Sequence, residues 1–483
     1  MGTRGKLPPR EVALLKLAHA GRTIKKFGKF IGPGFMVAVA YIDPGNYATD
    51  IAAGADSKFS LLFMVLLSNL IAIFFQTLCI KMGSVTGGSL GDNCREHLPK
   101  WMFISLYIIS EIAIIATDFA EVIGTAIAIT LLFKVNIIIS VGLTILDVIF
   151  VLIFYRPKGA SKGLQAFEYA VAALVLTVVV SFCVELSLLK NTNVGEVFLG
   201  YLPSKALVEG RGLYLACGIL GATVMPHSLF LGSGMVQPRL QKFDEDAGLD
   251  VTQTDNGVYR PTLNAIDSCM KYSIAELTVQ LFTFALFVNS AILIVAGASL
   301  FGNPAADTDL FGIFDLLNKT IAPAAGIVFA LALLMSGISA GIVCTVASQI
   351  STEGFMQWKI SPWVMRLITR ILALIPAIAI AAKGGKDALG DALTGSQVIL
   401  SILLPVISAP LVYITCRQKY MTVSADRIDE KSKNSVSVTA RMINEQGVDM
   451  SNGLLMTISS VGLWLVVAVM NIALLALIAM GKA

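Results

Sequence analysis

The chain consists mainly of long apolar runs separated by short polar segments. Four of the runs contain no charged residue, and the others carry only one to three ionisable residues each. Because a helix needs roughly 20 apolar residues to cross a bilayer, each run is long enough to form a transmembrane helix. The pattern predicts an all-α integral membrane protein with eleven spans, at residues 30–55, 59–80, 101–133, 135–155, 164–189, 212–238, 271–300, 320–352, 360–382, 392–416 and 450–481.

Two of these runs are interrupted by residues that a membrane helix disfavours. The run 30–55 contains the sequence DPGN at positions 43–46, and the run 212–238 contains MPH at positions 225–227. Proline lacks the N–H that a helix interior needs, and an ionisable side chain inside a bilayer is costly. Each run is therefore predicted to form two half-helices joined by a polar break.

The breaks also leave backbone oxygen atoms without partners. A helical N–H bonds to the carbonyl four residues earlier, so Pro44 leaves the carbonyl of Ala40 without its usual donor. Pro226 does the same to the carbonyl of Ala222. Broken membrane helices of this kind commonly build an ion or substrate site near the middle of the bilayer. The sequence therefore predicts a transporter.

The two broken runs are the first and the sixth of the eleven spans. Since five is an odd number, a second unit of five spans lies upside down relative to the first, so the spans form a 5+5 inverted repeat with an eleventh span appended. The predicted segments are a cytoplasmic N-terminal segment at 1–29, the first repeat at 30–189, the second at 190–416, a cytoplasmic loop at 417–453 and the last span at 454–483. The polar residues 239–270 are likewise predicted to form a mobile cytoplasmic loop.

Composition and charge agree with the membrane class. The chain is 56% hydrophobic and 14% charged, and its mean hydropathy is +0.78, values outside the range of soluble domains. Lys and Arg concentrate in the N-terminal segment and in alternate loops, which predicts a cytoplasmic N-terminus and, with eleven spans, an outside C-terminus. The net charge of +4 therefore reflects topology and indicates no nucleic acid partner. Neither a catalytic triad nor a phosphate loop nor an HExxH motif is present, which argues against an enzyme.

The motifs resemble those of the Nramp family of divalent-metal transporters. They are DPGN at 43–46, ATVMPH at 222–227 and ASQISTEG at 347–354, and the resemblance extends from about residue 28 to residue 480. It implies a LeuT-like fold and proton-coupled import of Mn²⁺ or Fe²⁺ into the cytosol. The amino-acid sequence around the second break is similar to that of the fungal Smf-type branch of the family. The family pattern implies a metal site formed by Asp43, Asn46, Met225, Gln397 and the carbonyls of Ala40 and Ala222.

The donor chemistry of these residues allows alternatives. Carboxylate, amide and carbonyl oxygens suit Mg²⁺, Ca²⁺ and Mn²⁺ alike, whereas the thioether of Met225 favours transition metals. Met225 is otherwise a core filler, and Asp43 and Asn46 are otherwise helix caps. Gln397 is as well explained by a hydrogen bond between helices.

A proton pathway is predicted beside the metal site. His227 occupies the middle of span 6, and the imidazole of histidine exchanges protons at physiological pH. Glu111, Asp118 and Glu121 fall within an arc of about 80° on span 3, so they share one face of that helix. That face must turn away from lipid, and Arg370 in span 9 is the predicted partner. The alternatives are a neutral, hydrogen-bonded histidine and a static buried salt bridge.

The chain departs from the family pattern at two positions of span 6. Ser228 replaces the usual asparagine after the motif histidine, and Gly232 replaces the usual second histidine. The span 3 carboxylates are therefore expected to carry more of the proton transfer. Arg366 lies one turn before Arg370 on a similar face, but the family pattern places only Arg370.

The sequence thus predicts a symporter of Mn²⁺ or Fe²⁺ with H⁺ that works by alternating access and holds no cofactor. Its partners are the transported metal ions, with Cd²⁺ and Co²⁺ as further candidates, protons and the lipid bilayer. The plasma membrane and an endosomal or vacuolar membrane are both possible locations. An amino acid or amine transporter of LeuT-like fold is one alternative, and a metal channel or sensor without proton coupling is the other.

Overall fold

The computed structural model describes residues 41–146, 148, 161–189, 192–249, 259–302, 309–320, 323–424, 443–444 and 447–481. The predicted N-terminal segment 1–29, the first half of span 1 with Ala40, and part of span 4 lie outside the described residues. The helices are α1 (Pro44–Ser57), α2 (Leu62–Thr86), α3 (Leu90–His97), α4 (Lys100–Phe133), α5 (Ile137–Leu143), α6 (Ser161–Leu188), α7 (Val194–Leu199), α8 (Gly212–Thr223), α9 (Pro226–Gly234), α10 (Gln237–Asp246), α11 (Leu263–Gln280), α12 (Leu286–Ser299), α13 (Leu310–Thr320), α14 (Pro323–Met356), α15 (Pro362–Thr415) and α16 (Leu454–Ala479).

Several of these helices have the length and composition of membrane spans. By those two criteria, seven helical stretches of the described chain can cross a bilayer, at residues 62–86, 100–133, 212–246, 263–299, 324–356, 362–415 and 454–479. Large apolar side chains cover their outer surfaces, for example Leu455, Ile472 and Val469 on α16. An apolar exterior around a buried polar interior is typical of a protein that is surrounded by lipid. The chain is therefore a multi-pass membrane protein.

The structure differs from the predicted loops in three places. Residues 239–270 are partly helical, because α10 extends to Asp246 and Thr262 caps the start of α11. The loop after α15 contains a small antiparallel sheet in the order β1 (Thr422–Val423), β3 (Gly447–Asp449), β2 (Ile443–Asn444). The all-α prediction therefore holds for the spans and not for this loop.

The third difference is the connection between the predicted spans 360–382 and 392–416. Both belong to α15, which runs on through the expected loop and kinks at Gly385 (φ 68°, ψ −145°). This backbone conformation is readily accessible only to glycine. The predicted spans 101–133, 164–189, 320–352 and 450–481 agree with α4, α6, α14 and α16 to within a few residues, whereas α2 ends later than predicted at Thr86 and α11 starts earlier at Leu263.

The second predicted break is present, and at the first predicted break the described part of the chain shows the start of the second half-helix. Pro44 and Pro226 are the first residues of α1 and α9, where a missing N–H costs nothing because the first turn has no acceptor for it. Between α8 and α9, Val224 (φ −100°, ψ 67°) and Met225 (φ −64°, ψ 127°) are not helical. The sixth predicted span is thus two half-helices.

Glycines allow neighbouring helices to approach the first break. A Cβ atom on Gly124 of α4 would overlap the ring of Pro44. We expect Gly124→Ala to destabilise the protein by roughly 1–3 kcal/mol, as for other overpacked cores. Thermal unfolding of the purified protein in detergent measures this. Gly462→Ala on α16 is the matched control, because no atom lies within 4 Å of the added methyl group. Equal midpoints for the two variants would show that Gly124 does not determine how closely α1 and α4 pack.

Candidate metal and proton site

The first break is organised by Asp43. Its Oδ1 accepts hydrogen bonds from the backbone N–H of Asn46 (2.9 Å) and from Asn46 Nδ2 (2.8 Å), so the side chain caps α1. Its Oδ2 is buried and has no hydrogen-bond partner among the described residues. One oxygen therefore serves as the helix cap while the other remains available. The capping role and the ligand role predicted for Asp43 are compatible.

Asn46 joins the first break to the second. Its Nδ2 lies among three acceptor oxygens: Asp43 Oδ1, the carbonyl of Tyr41 (3.1 Å) and the carbonyl of Ala222 (3.3 Å). The Ala222 carbonyl is the one that Pro226 was predicted to leave without a helical donor. A cation held by oxygens of these two breaks would replace the amide hydrogens there. Asn46 would then have to turn its Oδ1 toward the ion, since the amide nitrogen cannot be a ligand.

The opposite side of the amide is already held by polar groups. The Asn46 Oδ1 lies 3.4 Å from Thr223 Oγ1 and 3.4 Å from Asn289 Nδ2. Asn289 Nδ2 also lies 3.3 Å from the carbonyl of Tyr41. Turning the Asn46 amide therefore breaks these two long contacts and also the three hydrogen bonds that Nδ2 donates, so the turn requires a cation to take the place of the amide hydrogens.

Gln397 lies against the first break. A Cβ atom on Gly45 would overlap the side-chain carboxamide of Gln397. A Cβ atom on Gly221 would overlap the backbone carbonyl oxygen of Gln397. The Nε2 of Gln397 donates to Ser396 Oγ (3.0 Å), whereas Oε1 is buried without a partner in the described part of the chain. The predicted ligand is thus beside the site, with an oxygen that is not engaged elsewhere.

Met225 and His227 lie at the second break. Met225 is the N-cap residue of α9 and is buried. His227 Nδ1 lies 3.3 Å from Thr117 Oγ1 on α4. This contact connects the second break to the helix that carries the predicted carboxylates.

Asp118 and Glu121 of α4 form one buried ion cluster with two arginines of α15. Asp118 Oδ1 lies 2.7 Å from Arg366 Nη1 and 3.1 Å from Arg370 Nη1. Arg366 Nη1 also lies 3.2 Å from Glu121 Oε2. The sequence prediction named Arg370 alone, so Arg366 is the partner that it missed. Two positive and two negative charges buried together compensate each other.

In the described part of the chain, Glu111 forms no ion pair with the cluster of Asp118, Glu121, Arg366 and Arg370. It lies two turns earlier on α4, is partly buried, and its Oε1 accepts a bond of 3.4 Å from Thr352 Oγ1 of α14. It therefore shares the face predicted for the three carboxylates but has a separate environment.

The space left by Gly232 is filled from another helix. A Cβ atom on Gly232 would overlap the Oε1 of Gln76 on α2. Gln76 Nε2 donates to Tyr41 Oη (2.9 Å), Ser228 Oγ (3.0 Å) and the carbonyl of Ser228 (2.9 Å). The two positions that depart from the family pattern are thus bridged by one amide, which does not titrate.

Sequence reasoning missed further polar groups of this interior. Asn289 and Thr117 contact the predicted site residues Asn46 and His227, and Gln76 contacts Ser228 beside His227. Asp50 and Glu185 are buried carboxylates without hydrogen-bond partners among the described residues. The acids were detectable as ionisable residues within apolar runs. The neutral residues carry no such signal, because amides and hydroxyls are common between membrane helices.

No group of three or more His, Cys, Asp or Glu side chains in the described part of the chain is arranged to hold a metal ion. The donors at the two breaks are instead one carboxylate, amides, a thioether and carbonyls. A site with a single formal charge would hold a divalent ion less tightly than a multi-carboxylate site.

The fold and the site define a multi-pass membrane protein in which the start of α1 and the break between α8 and α9 enclose a polar centre. The chain belongs to the family described as natural resistance-associated macrophage protein-like (Nramp), whose model matches residues 34–430. It is 49% identical to the manganese transporter pdt1 of Schizosaccharomyces pombe, over 95% of this chain and 87% of that protein. It is 46% identical to the iron transporter SMF3 of Saccharomyces cerevisiae, over 93% of this chain and 95% of that protein.

Solved structures agree with this assignment. The crystal structure of the Eremococcus coleocola manganese transporter with an aromatic bis-isothiourea compound has a TM-score of 0.75 and 29% identity, covering 93% of this chain and 86% of that one. The nucleobase-cation-symport-1 family transporter Mhp1 has a TM-score of 0.50 at 11% identity, over 94% and 93% of the two chains. The second similarity concerns the fold alone and supports the predicted LeuT-like architecture.

Proposed function

We propose that this protein is a secondary transporter that imports Mn²⁺ and Fe²⁺ into the cytosol together with protons, by alternating access. The observation that carries the proposal is the junction of the two breaks. Asp43 offers a buried oxygen without a partner, and Asn46 connects that carboxylate to the carbonyl of Ala222. The manganese and iron transporters that resemble the chain support the choice of substrate.

The proposed metal ligands are Asp43, Asn46, Met225, Gln397 and the carbonyls of Ala40 and Ala222. Asp43 supplies the only formal charge. Met225 supplies the soft donor that disfavours Ca²⁺ and Mg²⁺. We further propose eleven spans in two inverted repeats, a cytoplasmic N-terminus, and residence in the plasma membrane or an endosomal or vacuolar membrane.

The proposed proton route begins at the metal site. A proton held on Asp43 must leave when a metal ion takes its carboxylate. His227 stands beside the second break and contacts Thr117, which precedes Asp118 on α4. The cluster of Asp118, Glu121 and the two arginines then provides carboxylates that can accept this proton, and the arginines balance both carboxylates when these are ionised.

Metal uptake into proteoliposomes tests the substrate class. The purified protein is expected to carry Mn²⁺ and Fe²⁺ saturably, to carry them faster when the outside is acidic, and to exclude Ca²⁺ and Mg²⁺. Uptake of an amino acid or amine instead of a metal would establish the other LeuT-like substrate class. Metal uptake that ignores the pH gradient would indicate a channel or an uncoupled carrier.

Selectivity should change when the thioether is removed. In Met225→Ala the site retains only oxygen donors, so we expect Ca²⁺ uptake to appear and Cd²⁺ affinity to fall by at least about ten-fold. Competition of each ion against Mn²⁺ uptake measures both effects. Met235→Ala is the matched control, because Met235 follows the far end of α9. If Met225→Ala still excludes Ca²⁺ as the parent does, selectivity has another origin.

A further inference from the structure

A groove lies at one end of the bundle, and its lining includes no residue of the two breaks. It has a volume of about 680 Å³ and lies between the start of α4, the last turns of α15 and the middle of α16. Its walls include Trp101, Ile109, Pro405, Tyr413 and Trp464. The lining is almost entirely apolar.

The groove runs along the helices. Trp101 and Ile109 are eight residues apart on α4, and Pro405 and Tyr413 are eight residues apart on α15, so each wall is about 12 Å long at 1.5 Å per residue. Trp464 Nε1 donates to the carbonyl of Pro405 (2.8 Å) and closes the deep end. This length is close to half of the roughly 30 Å hydrocarbon core of a bilayer. The groove therefore has the dimensions of a lipid chain within one leaflet.

The mouth of the groove is rich in aromatic rings and cations. The ring of Tyr413 lies 5.9 Å from that of Tyr420, which stacks on His97 at 4.4 Å. Arg417 lies 5.2 Å from the ring centre of Tyr413, and Lys419 lies 5.7 Å from that of Tyr420. Both cations are exposed. These contacts hold two positive charges beside the opening.

Other charges near the mouth do not cancel these cations. Glu96 is the neighbouring carboxylate, and it pairs with Arg260 at 3.1 Å. Lys100 adds an exposed positive charge next to Trp101, which is 71% exposed. Partial burial lowers the pKa of His97 below its ordinary value of 6.5, so His97 contributes a neutral ring at pH 7. An exposed tryptophan at a helix end is typical of the membrane–water interface.

We infer that this groove is a binding site for a phospholipid with an anionic headgroup, whose acyl chain lies between α4, α15 and α16 and whose phosphate lies beside Arg417 and Lys419. In the proposed topology this end of the bundle faces the cytoplasm, and anionic lipids are enriched in the cytoplasmic leaflet. The site does not involve the metal ligands. Its occupancy can therefore be measured without transport.

Tryptophan quenching tests the site. The variant Trp358→Phe/Trp363→Phe retains Trp101 and Trp464, which both line the groove. The full-length purified protein is titrated with brominated phosphatidylserine in excess unbrominated phosphatidylcholine, and then with the labels exchanged. We expect the anionic lipid to quench at a roughly ten-fold lower concentration than the zwitterionic lipid, as two nearby cations imply.

Two further variants distinguish the groove from general lipid contact. Arg417→Gln/Lys419→Gln should abolish the preference for the anionic lipid, whereas Lys386→Gln should keep it, because Lys386 is stacked on Phe311 elsewhere in the fold. Ala409→Leu, which fills the groove, should weaken quenching by both lipids. Equal quenching by the two lipids in the parent would overturn the inference. So would equal effects of Lys386→Gln and the double variant, or full displacement by soluble glycerophosphoserine, which would indicate a site for the free anion.

Discussion

Asp43→Asn is expected to abolish saturable Mn²⁺ uptake while the protein remains folded. Asparagine is as good a helix cap as aspartate, so the bond to the backbone of Asn46 and the start of α1 should be kept. What is lost is the only formal charge among the proposed ligands. We expect Mn²⁺ affinity to fall by roughly 10- to 150-fold, since a contact to a charged group contributes about 1.5–3 kcal/mol.

Calorimetric Mn²⁺ titration and proteoliposome uptake measure these two effects. Asp56→Asn is the matched control, because Asp56 lies on the same helix but is exposed to solvent. It should leave affinity and uptake unchanged. Saturable uptake by Asp43→Asn at parental affinity would remove Asp43 from the metal site.

Asp118→Asn is expected to separate proton movement from metal binding. The substitution leaves Arg366 and Arg370 facing a single carboxylate, Glu121, and removes the proton-accepting group nearest to Thr117 in sequence. Positioned proton-transfer groups contribute roughly 10²–10⁴-fold to rates, so metal-driven acidification should fall at least ten-fold. Mn²⁺ affinity should change by less than about three-fold, because the ion pairs of Asp118 in the described part of the chain are with Arg366 and Arg370 and not with residues of the breaks.

The control for Asp118→Asn must remove a buried ion pair without touching this cluster. Glu276→Gln does so, because Glu276 pairs with Arg239 at 2.6 Å at another place in the bundle. Both variants should lower thermal stability, since an unpaired buried charge is costly. Only Asp118→Asn should lower coupling. Parallel losses of Mn²⁺ affinity and acidification in Asp118→Asn would assign it a structural role.

The breaks were predictable from the sequence because proline and charge obey local rules. Pro44 and Pro226 had to begin half-helices, and Asp43 had to lie in the break that directly precedes Pro44. The side of span 3 that faces the protein interior was also predictable from the sequence, since Asp118 and Glu121 could not face lipid. These inferences need only helical periodicity and the properties of the bilayer.

The contacts between helices were not predictable in the same way. Arg366 and Arg370 are one turn apart on similar faces, so the sequence does not decide which of them meets Asp118, and both do. The position of Gln76 against Gly232 depends on how α2 packs on α9. The short sheet after α15 pairs strands from the two ends of a long loop, which no local pattern indicates.

The most direct test of the account records metal influx and luminal pH in the same proteoliposomes. With Mn²⁺ outside at acidic pH, the parent protein should carry the metal inward and acidify the lumen in step with it. Asp43→Asn should do neither. Mn²⁺ influx without acidification in the parent would contradict proton coupling, and the absence of Mn²⁺ influx would contradict the proposed function itself.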